Sequence, residues 1–387
     1  MMNMLIYCQH VLGIGHLFRT LEIARAMKEH RVTLVLGGPP AAISLPGHVR
    51  VVQLPGLRMD ADFSELSPVD HGRSLDEVKA QRAEMLYTLA QKLRPEVIMI
   101  ELFPFGRNGF SFELLPLLQA VRNGELPSCK VVCSLRDILV EKKDRAKYEQ
   151  RVIDRLNTLF DALLVHGDPR VITLDATFTR MDDIAIPVVY TGYICEKSDP
   201  EAGSALKDQL RLQPDEKLIV ASAGGGNVGC RLLDAAIKAY DLLRFPVRLH
   251  IFTGPYLPAD DFAALKQKTV PGVRIQRFTD NFPAWLAAAD LSISMGGYNT
   301  SMNVLAAGTP ALILPFAQNR EQRLRTERLA AISGITMLEE SGLSPGVLAE
   351  NITAMLTQTK KIPPVLLDGA EKTNQWLSRW VIEGTMA

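Results

Sequence analysis

Short apolar runs alternate along the whole chain with longer segments in which apolar residues recur at helical spacing. In the first half the runs predict strands over 3–8, 32–36, 49–54, 97–100, 130–134, 162–165 and 187–191. The periodic segments between them predict helices from Leu17 onward and over 75–93, 112–122 and 145–160. The second half repeats the rhythm, with strands over 218–222, 247–253, 273–277, 291–295, 311–316 and 335–338. Its helices are predicted over 231–243, 260–268, 282–288, 300–307, from Asn319 onward and over 345–358. Strand and helix in strict alternation predict α/β domains with parallel sheets, doubly wound and Rossmann-like. Residues 58–73 read as a polar, irregular loop.

The 387 residues exceed what one core usually supports, so two domains are expected. A charged stretch carrying Pro200 places the boundary between 195 and 196, giving an acceptor-side domain over 1–195 and a second domain over 196–363. After Pro363-Pro364, a last helix over 365–380 has no evident place in the second domain. Residues 364–387 are therefore expected to cross back onto the first. The 43 basic residues balance the 43 acidic ones, so no general attraction to nucleic acid is implied. No run reaches the ~18 apolar residues of a membrane span. The first residues lack a signal-peptide pattern, so the chain is expected in the cytoplasm, a peripheral contact with the inner face of the membrane being compatible with that. Five cysteines, an odd number widely spread, read as free thiols, and none has the partners of a zinc site.

The candidate chemistry lies where strands end. Residues 291–316 read strand, Gly296-Gly297 turn, helix, Gly-Thr-Pro stop and strand. A helix opening after two glycines presents unpaired amides and the positive end of its dipole, an arrangement suited to phosphate. Asn299 and Thr300 add donors. A second glycine loop, Gly224-Gly225-Gly226-Asn227, follows an earlier strand and lacks a Walker lysine. Near the start, Gly13-Ile14-Gly15-His16 opens a helix after the first strand, but without the third glycine and distal acid of a dinucleotide fingerprint. His16 is a candidate base because imidazole titrates near neutrality. Glu101, Arg136, Asp137 and Asp168 leave other strand ends on the same predicted rim. Asp60 and Asp62 read as a solvated pair. Phe103, Phe105, Phe110 and Phe112 with Leu114 and Leu115 read either as core or as an apolar lip.

Taken together, these motifs resemble the C-terminal domain of the family 28 glycosyltransferases. The likeness runs through Gly224-Gly225-Gly226, Arg277-Phe278-Thr279-Asp280, Met295 to Thr300, Ala306 to Pro310 and Glu321-Gln322. The whole chain is similar to a bacterial group of predicted glycosyltransferases, through Gly13 to Leu17, Phe103 to Arg107, Leu135-Arg136-Asp137, His166 to Pro169 and Tyr190 to Tyr193. The resemblance implies the GT-B fold, two Rossmann-like domains facing across a cleft. It implies that Phe278 and Thr279 meet the nucleotide base, that Gly225, Gly226 and Gly297 to Thr300 hold the diphosphate, and that Gln322 meets the sugar. Asn303 stands where the family usually carries a ribose-binding glutamate, and an amide loses the charge-assisted pair. The function implied is inverting, metal-independent transfer of a sugar from a nucleoside diphosphate, a UDP-sugar first, to a hydroxyl acceptor, with no cofactor. The acceptor is a glycan, a lipid-linked or a small molecule. His16 is the first choice of base, with Glu101 or Asp137 as rival or orienting partner. Gly13, Gly15, Arg136 and Asp168 are assigned to the acceptor side. A nucleotide-sugar hydrolase using His16 to activate water, and a catalytically silent nucleotide-sugar-binding subunit, are the alternatives.

Overall fold

The structure, a computed structural model, describes residues 1–10, 15–38, 45–59, 66–197, 199–226 and 228–383. By its internal contacts the chain divides into two compact units, Met1–Ile194 with Asp368–Ala387, and Cys195–Leu367. Against the sequence reading, Cys195 and residues 364–367 change sides. The Cys195 thiol donates to the Leu367 carbonyl at 3.4 Å, which holds both ends of the second unit together.

The first unit opens with β1 (Asn3–Cys8), α1 (Gly15–Ala26), β2 (Arg31–Leu36), β3 (Val49–Gln53), β4 (Leu57–Met59), β5 (Leu66–Pro68) and α2 (Leu75–Leu93). It continues through β6 (Val97–Glu101), α3 (Ser111–Arg122), β7 (Lys130–Arg136), α4 (Arg145–Leu159), β8 (Ala162–His166) and β9 (Val188–Tyr190). Seven of these strands form a parallel sheet in the order β3-β2-β1-β6-β7-β8-β9. The chain winds outward from β1 to β3, then returns to the other side of β1 as β6. The β1/β6 gap is therefore a topological switch point, the place where open α/β sheets take their ligands. The region read as an irregular loop contains β4 and β5, a short antiparallel pair. Three-residue strands are too brief to show an alternating pattern.

One face of this sheet is apolar along most of its length and polar at its last rung. Met4 and Ile6 on β1, Val97 and Met99 on β6, Val132 on β7, and Ala162 and Leu164 on β8 join one buried cluster with Leu17, Leu21 and Ala24 of α1. The next positions on that face are Cys8, Glu101, Ser134 and His166, all buried. The same cluster takes in Leu377 of the last helix, α12 by order of sequence (Gly369–Ser378), and Trp380 beyond it. Asn374 of that helix bonds Glu29, Ser378 bonds His30, and Trp380 lies under the Lys130 ammonium. The C-terminal segment thus packs on α1, but its helix begins four residues later than periodicity predicts. Gly369 sets that start: its amide bonds the Tyr193 carbonyl, and a Cβ there would lie 2.2 Å from the Gly192 oxygen.

The second unit contains α5 (Pro200–Leu210), β10 (Lys217–Ser222), α6 (Cys230–Tyr240), β11 (Val247–Phe252), α7 (Ala259–Gln267), β12 (Val273–Gln276) and α8 (Phe282–Ala288). β13 (Leu291–Met295), α9 (Tyr298–Ala307), β14 (Ala311–Leu314), α10 (Arg320–Ala330), β15 (Ile335–Met337) and α11 (Pro345–Met355) complete it. Its six strands are parallel in the order β12-β11-β10-β13-β14-β15, which puts the switch point between β10 and β13. The charged, proline-bearing stretch read as a link runs into a helix at its end, since α5 begins at Pro200. Asp199 caps it by accepting from the Glu201 amide, and Pro200 occupies the first turn, where a missing N–H costs nothing.

Candidate active site

At the first switch point, β1 leads into α1 and β6 ends in Glu101, so the two neighbouring strands deliver His16 and Glu101 to one spot. His16 Nδ1 lies 2.6 Å from Glu101 Oε1. Arg19, one turn further along α1, brings its Nη2 to 2.5 Å from the same oxygen and 3.3 Å from His16 Nδ1. A carboxylate only accepts, so the short contact to Glu101 assigns the proton to Nδ1, and the Arg19 guanidinium 3.3 Å away then stands beside that nitrogen without donating to it. That leaves Nε2 with a lone pair, on a side chain still one quarter exposed. Glu101 and Arg19 are almost wholly buried. Burial alone would raise the Glu101 carboxyl, but His16, Arg19 and Arg107 outweigh it and hold it down at about 2. Burial pushes the His16 imidazole down to about 4; Glu101 pulls it up, while Arg107 and Arg19 push it lower. The second carboxylate oxygen, Oε2, is buried with no hydrogen-bond partner among the described residues.

The same rung continues across the sheet. Ser134 stands beside Glu101 in the β6/β7 register, and its hydroxyl lies 2.7 Å from His166 Nε2. His166 Nδ1 lies 2.8 Å from the Thr191 hydroxyl. Burial drives the His166 imidazole down to about 3, so it is neutral, donating through one nitrogen and accepting through the other. Asp137 and Asp168 follow β7 and β8 on the rim and are fully buried, and each has a partner close by in sequence. Asp137 accepts from the Ile138 amide. Asp168 is gripped by the Arg170 guanidinium and amide, which gives it a structural reason to be there. Arg136 ends β7, partly buried. Gly15 is the first residue of α1; Gly13, like Asp60 and Asp62, lies outside the described residues. Phe103, Phe105, Phe110 and Leu114 are core, with Phe103 against Phe160 and Phe105 against Phe178, so of the two readings of that segment the packing one holds. Sequence reasoning passed over Arg19, Arg107 and the His166 relay. Arg19 had a signal, its i+3 spacing from His16.

The second switch point is built from backbone. β10 and β13 are neighbours, so the loops after them adjoin: a Cβ on Gly224 would lie 3.8 Å from Thr300 Oγ1. Gly224 and Gly226 have φ of 64° and 93°. A Cβ on Gly226 would meet the Thr253 carbonyl at 2.6 Å, and one on Gly254 the Gly224 carbonyl at 2.4 Å. The loops after β10 and β11 therefore pack so closely at Gly224, Gly226 and Gly254 that a side chain at Gly226 or Gly254 would meet backbone. Gly297 is different. Its φ and ψ are −67° and 148°, and a Cβ there would meet nothing within 4 Å among the described residues. It stands before the first turn of α9, which has no side-chain cap, with open space in front of it. Ser301, one turn in, is fully buried and its hydroxyl has no partner among the described residues. Gly296 packs closely, a Cβ there lying 3.2 Å from Pro315 Cα.

Around these loops, Gly225 accepts from the Tyr256 amide, and Tyr256 and Phe278 are both about half exposed (45% and 46%). Thr279 Oγ1 accepts from the Asn281 amide. Gln322 spends its carbonyl oxygen on the Phe316 amide, leaving its NH₂ to other partners. Asn303 is buried and its Oδ1 accepts from the Glu196 amide at 3.1 Å. The side chain expected at a ribose thus ties the start of the unit to α9. Asn299 lies in the first turn of α9; Asn227 lies outside the described residues.

This fold is that of the GT-B glycosyltransferases. The calicheamicin glycosyltransferase CalG4 is similar over 99% of this chain and 94% of its own, with a TM-score of 0.59 at 15% identity. MurG of Acinetobacter baumannii is similar over 97% and 95%, with a TM-score of 0.55, also at 15% identity. Residues 224–370 match the sequence model of the glycosyltransferase family 28 C-terminal domain. Among relatives, the UDP-N-acetylglucosamine–N-acetylmuramyl-(pentapeptide) pyrophosphoryl-undecaprenol N-acetylglucosamine transferase of Brucella anthropi is 28% identical over 144 residues. That match covers 36% of this chain and 38% of the relative, so the chain spans roughly two fifths of that protein's length. No helix among the described residues is long and apolar enough to cross a membrane.

Proposed function

We propose that this protein transfers a sugar from a nucleoside diphosphate, a UDP-sugar first, to a hydroxyl acceptor with inversion at the anomeric carbon. The observation that carries the reading is the second switch point, where two glycine loops and an uncapped helix start leave an open, amide-lined space within a family 28 C-terminal domain. Such a space suits a diphosphate: amides and the helix dipole meet its charge as it leaves, in place of a bound cation. Phe278, exposed at the end of β12, is the candidate to stack on the base. The first unit supplies the proton chemistry. Nε2 of His16 takes the acceptor's proton as its oxygen bonds to the anomeric carbon and the nucleoside diphosphate departs; Glu101 holds the ring in the tautomer that makes this the free nitrogen.

A thermal-shift screen of UDP, GDP, dTDP and their sugars is the first test, since binding to the folded state appears as stabilisation. A rise in melting temperature with one nucleotide family is expected, followed by transfer of its sugar to a hydroxyl acceptor in a mass-detected assay. No stabilisation by any of them overturns the reading. Sugar release at the same rate with and without acceptors converts it to a hydrolase.

A further inference from the structure

His16 is not alone with its carboxylate. In a two-member imidazole–carboxylate pair, the acid both fixes the tautomer and favours the imidazolium. Here Glu101 Oε1 is shared: Arg19 reaches it at 2.5 Å, as close as His16 does, and both partners of the ion pair are almost wholly buried. The charge of Glu101 is thus already answered by a guanidinium that also stands 3.3 Å from the imidazole nitrogen. We propose that Arg19 is a positioning residue which, by sharing and neutralising Glu101 Oε1, leaves that carboxylate to orient His16 without charging it.

Among the described residues, charged or titratable groups from several elements bear on the His16–Glu101 pair. Glu101 ends β6 and Arg107 follows it; Arg19 is on α1, Cys8 ends β1, and His166 ends β8. Arg107 acts in the same direction as Arg19, and Glu101 opposes both. Cys8 stays a neutral thiol, pushed up to about 12 mainly by burial and Glu101, and His166 is neutral. Removing Arg19 takes away one of the two guanidiniums that oppose Glu101 at the imidazole, burial and Arg107 remaining, and shifts the ring toward its protonated form.

The proposal rests on His16 being the base, but its test needs no substrate. The His16 imidazole is titrated by NMR in the full-length, ring-labelled protein, assigned by its loss in His16→Ala. In Arg19→Gln the titration midpoint is expected to rise by at least about one pH unit. In Arg19→Lys, which keeps the charge, it stays near the unaltered protein's. Glu101→Gln moves it the other way. Once a transfer assay exists, the acid limb of kcat should rise with the midpoint in Arg19→Gln and not in Arg19→Lys. An Arg19→Gln protein that folds and titrates like the original overturns the proposal and leaves the transferase reading standing. If that variant does not fold, a His16 midpoint that Glu101→Gln fails to lower overturns it instead.

Discussion

The two switch points share a topology and differ in material. At β1/β6 the rim is furnished with side chains that hold or move protons: His16, Arg19 and Glu101 in contact, with Ser134, His166 and Thr191 on the same buried face. At β10/β13 the corresponding residues are Ser222, Ser292 and Ser294, small hydroxyls that bond one another or the loop backbone, and the rim itself is glycine. The difference follows from what each must meet. A diphosphate carries its charge wherever it goes, and fixed amides answer it without titrating. A hydroxyl must be relieved of a proton, which only a titratable group can accept. On the proposed function, one fold, used twice, separates charge recognition from acid–base chemistry.

That contrast can be broken from either side. Taking away a side chain should be ruinous at the first site: His16→Ala is expected to cut turnover by about 10²–10⁴-fold with nucleotide affinity, read by calorimetry, unchanged. Equal turnover would remove His16 from the chemistry. At the second site the damaging change is adding a side chain. Gly297→Ala should fold as well as the original, within about 0.5 kcal/mol, because its φ and ψ suit alanine and no atom of the described residues lies within 4 Å of the added Cβ. Its nucleotide affinity should still fall about tenfold, close to 1.4 kcal/mol, because the methyl occupies space meant for phosphate. Intact affinity would place the phosphate elsewhere. Gly226→Ala serves as the contrast: at a φ of 93° and 2.6 Å from a carbonyl, it should lose about 1–3 kcal/mol of stability even without ligand.

What the sequence could reveal of this arrangement was whatever is local. A glycine pair between an apolar run and a helical period marks a strand-to-helix turn, so the loops at Gly224 and Gly296 were visible, as were His16 and Glu101 at their strand ends. Partnerships across the sheet were not. Ser134 and His166 meet only through the β7/β8 register, and Asn303 finds the Glu196 amide 107 residues away. Gly254 looks like a strand breaker until the loop after β10 is seen against it. Arg19 shares its helix with His16, but whether an i+3 neighbour faces the site is settled by how α1 lies on the sheet. Asp168 is a different case: its strand-end position was legible, and its ion pair with Arg170, two residues on, was not.

The smallest effect concerns the polar rung itself. His166 is neutral in the folded protein because burial holds its imidazole at about 3, whereas in an unfolded chain it titrates near its ordinary 6.5. Between those values the unfolded chain binds a proton that the folded one refuses. Stability from this group is therefore complete above about pH 6.5 and is lost as the pH falls toward 3, with a limiting slope of about 1.4 kcal/mol per pH unit. Trp376 and Trp380 lie in the first unit and Trp285 in the second, so in a Trp285→Phe background fluorescence reports the first unit alone. Urea midpoints followed from pH 7 to pH 4 should fall, and fall less steeply in His166→Asn, by up to about 1 kcal/mol per pH unit. The same slope in both proteins would mean that the rung does not resist protonation. The first switch point would then owe its acid sensitivity to His16 and Glu101, and the contrast with the serine-lined second site would narrow to that pair.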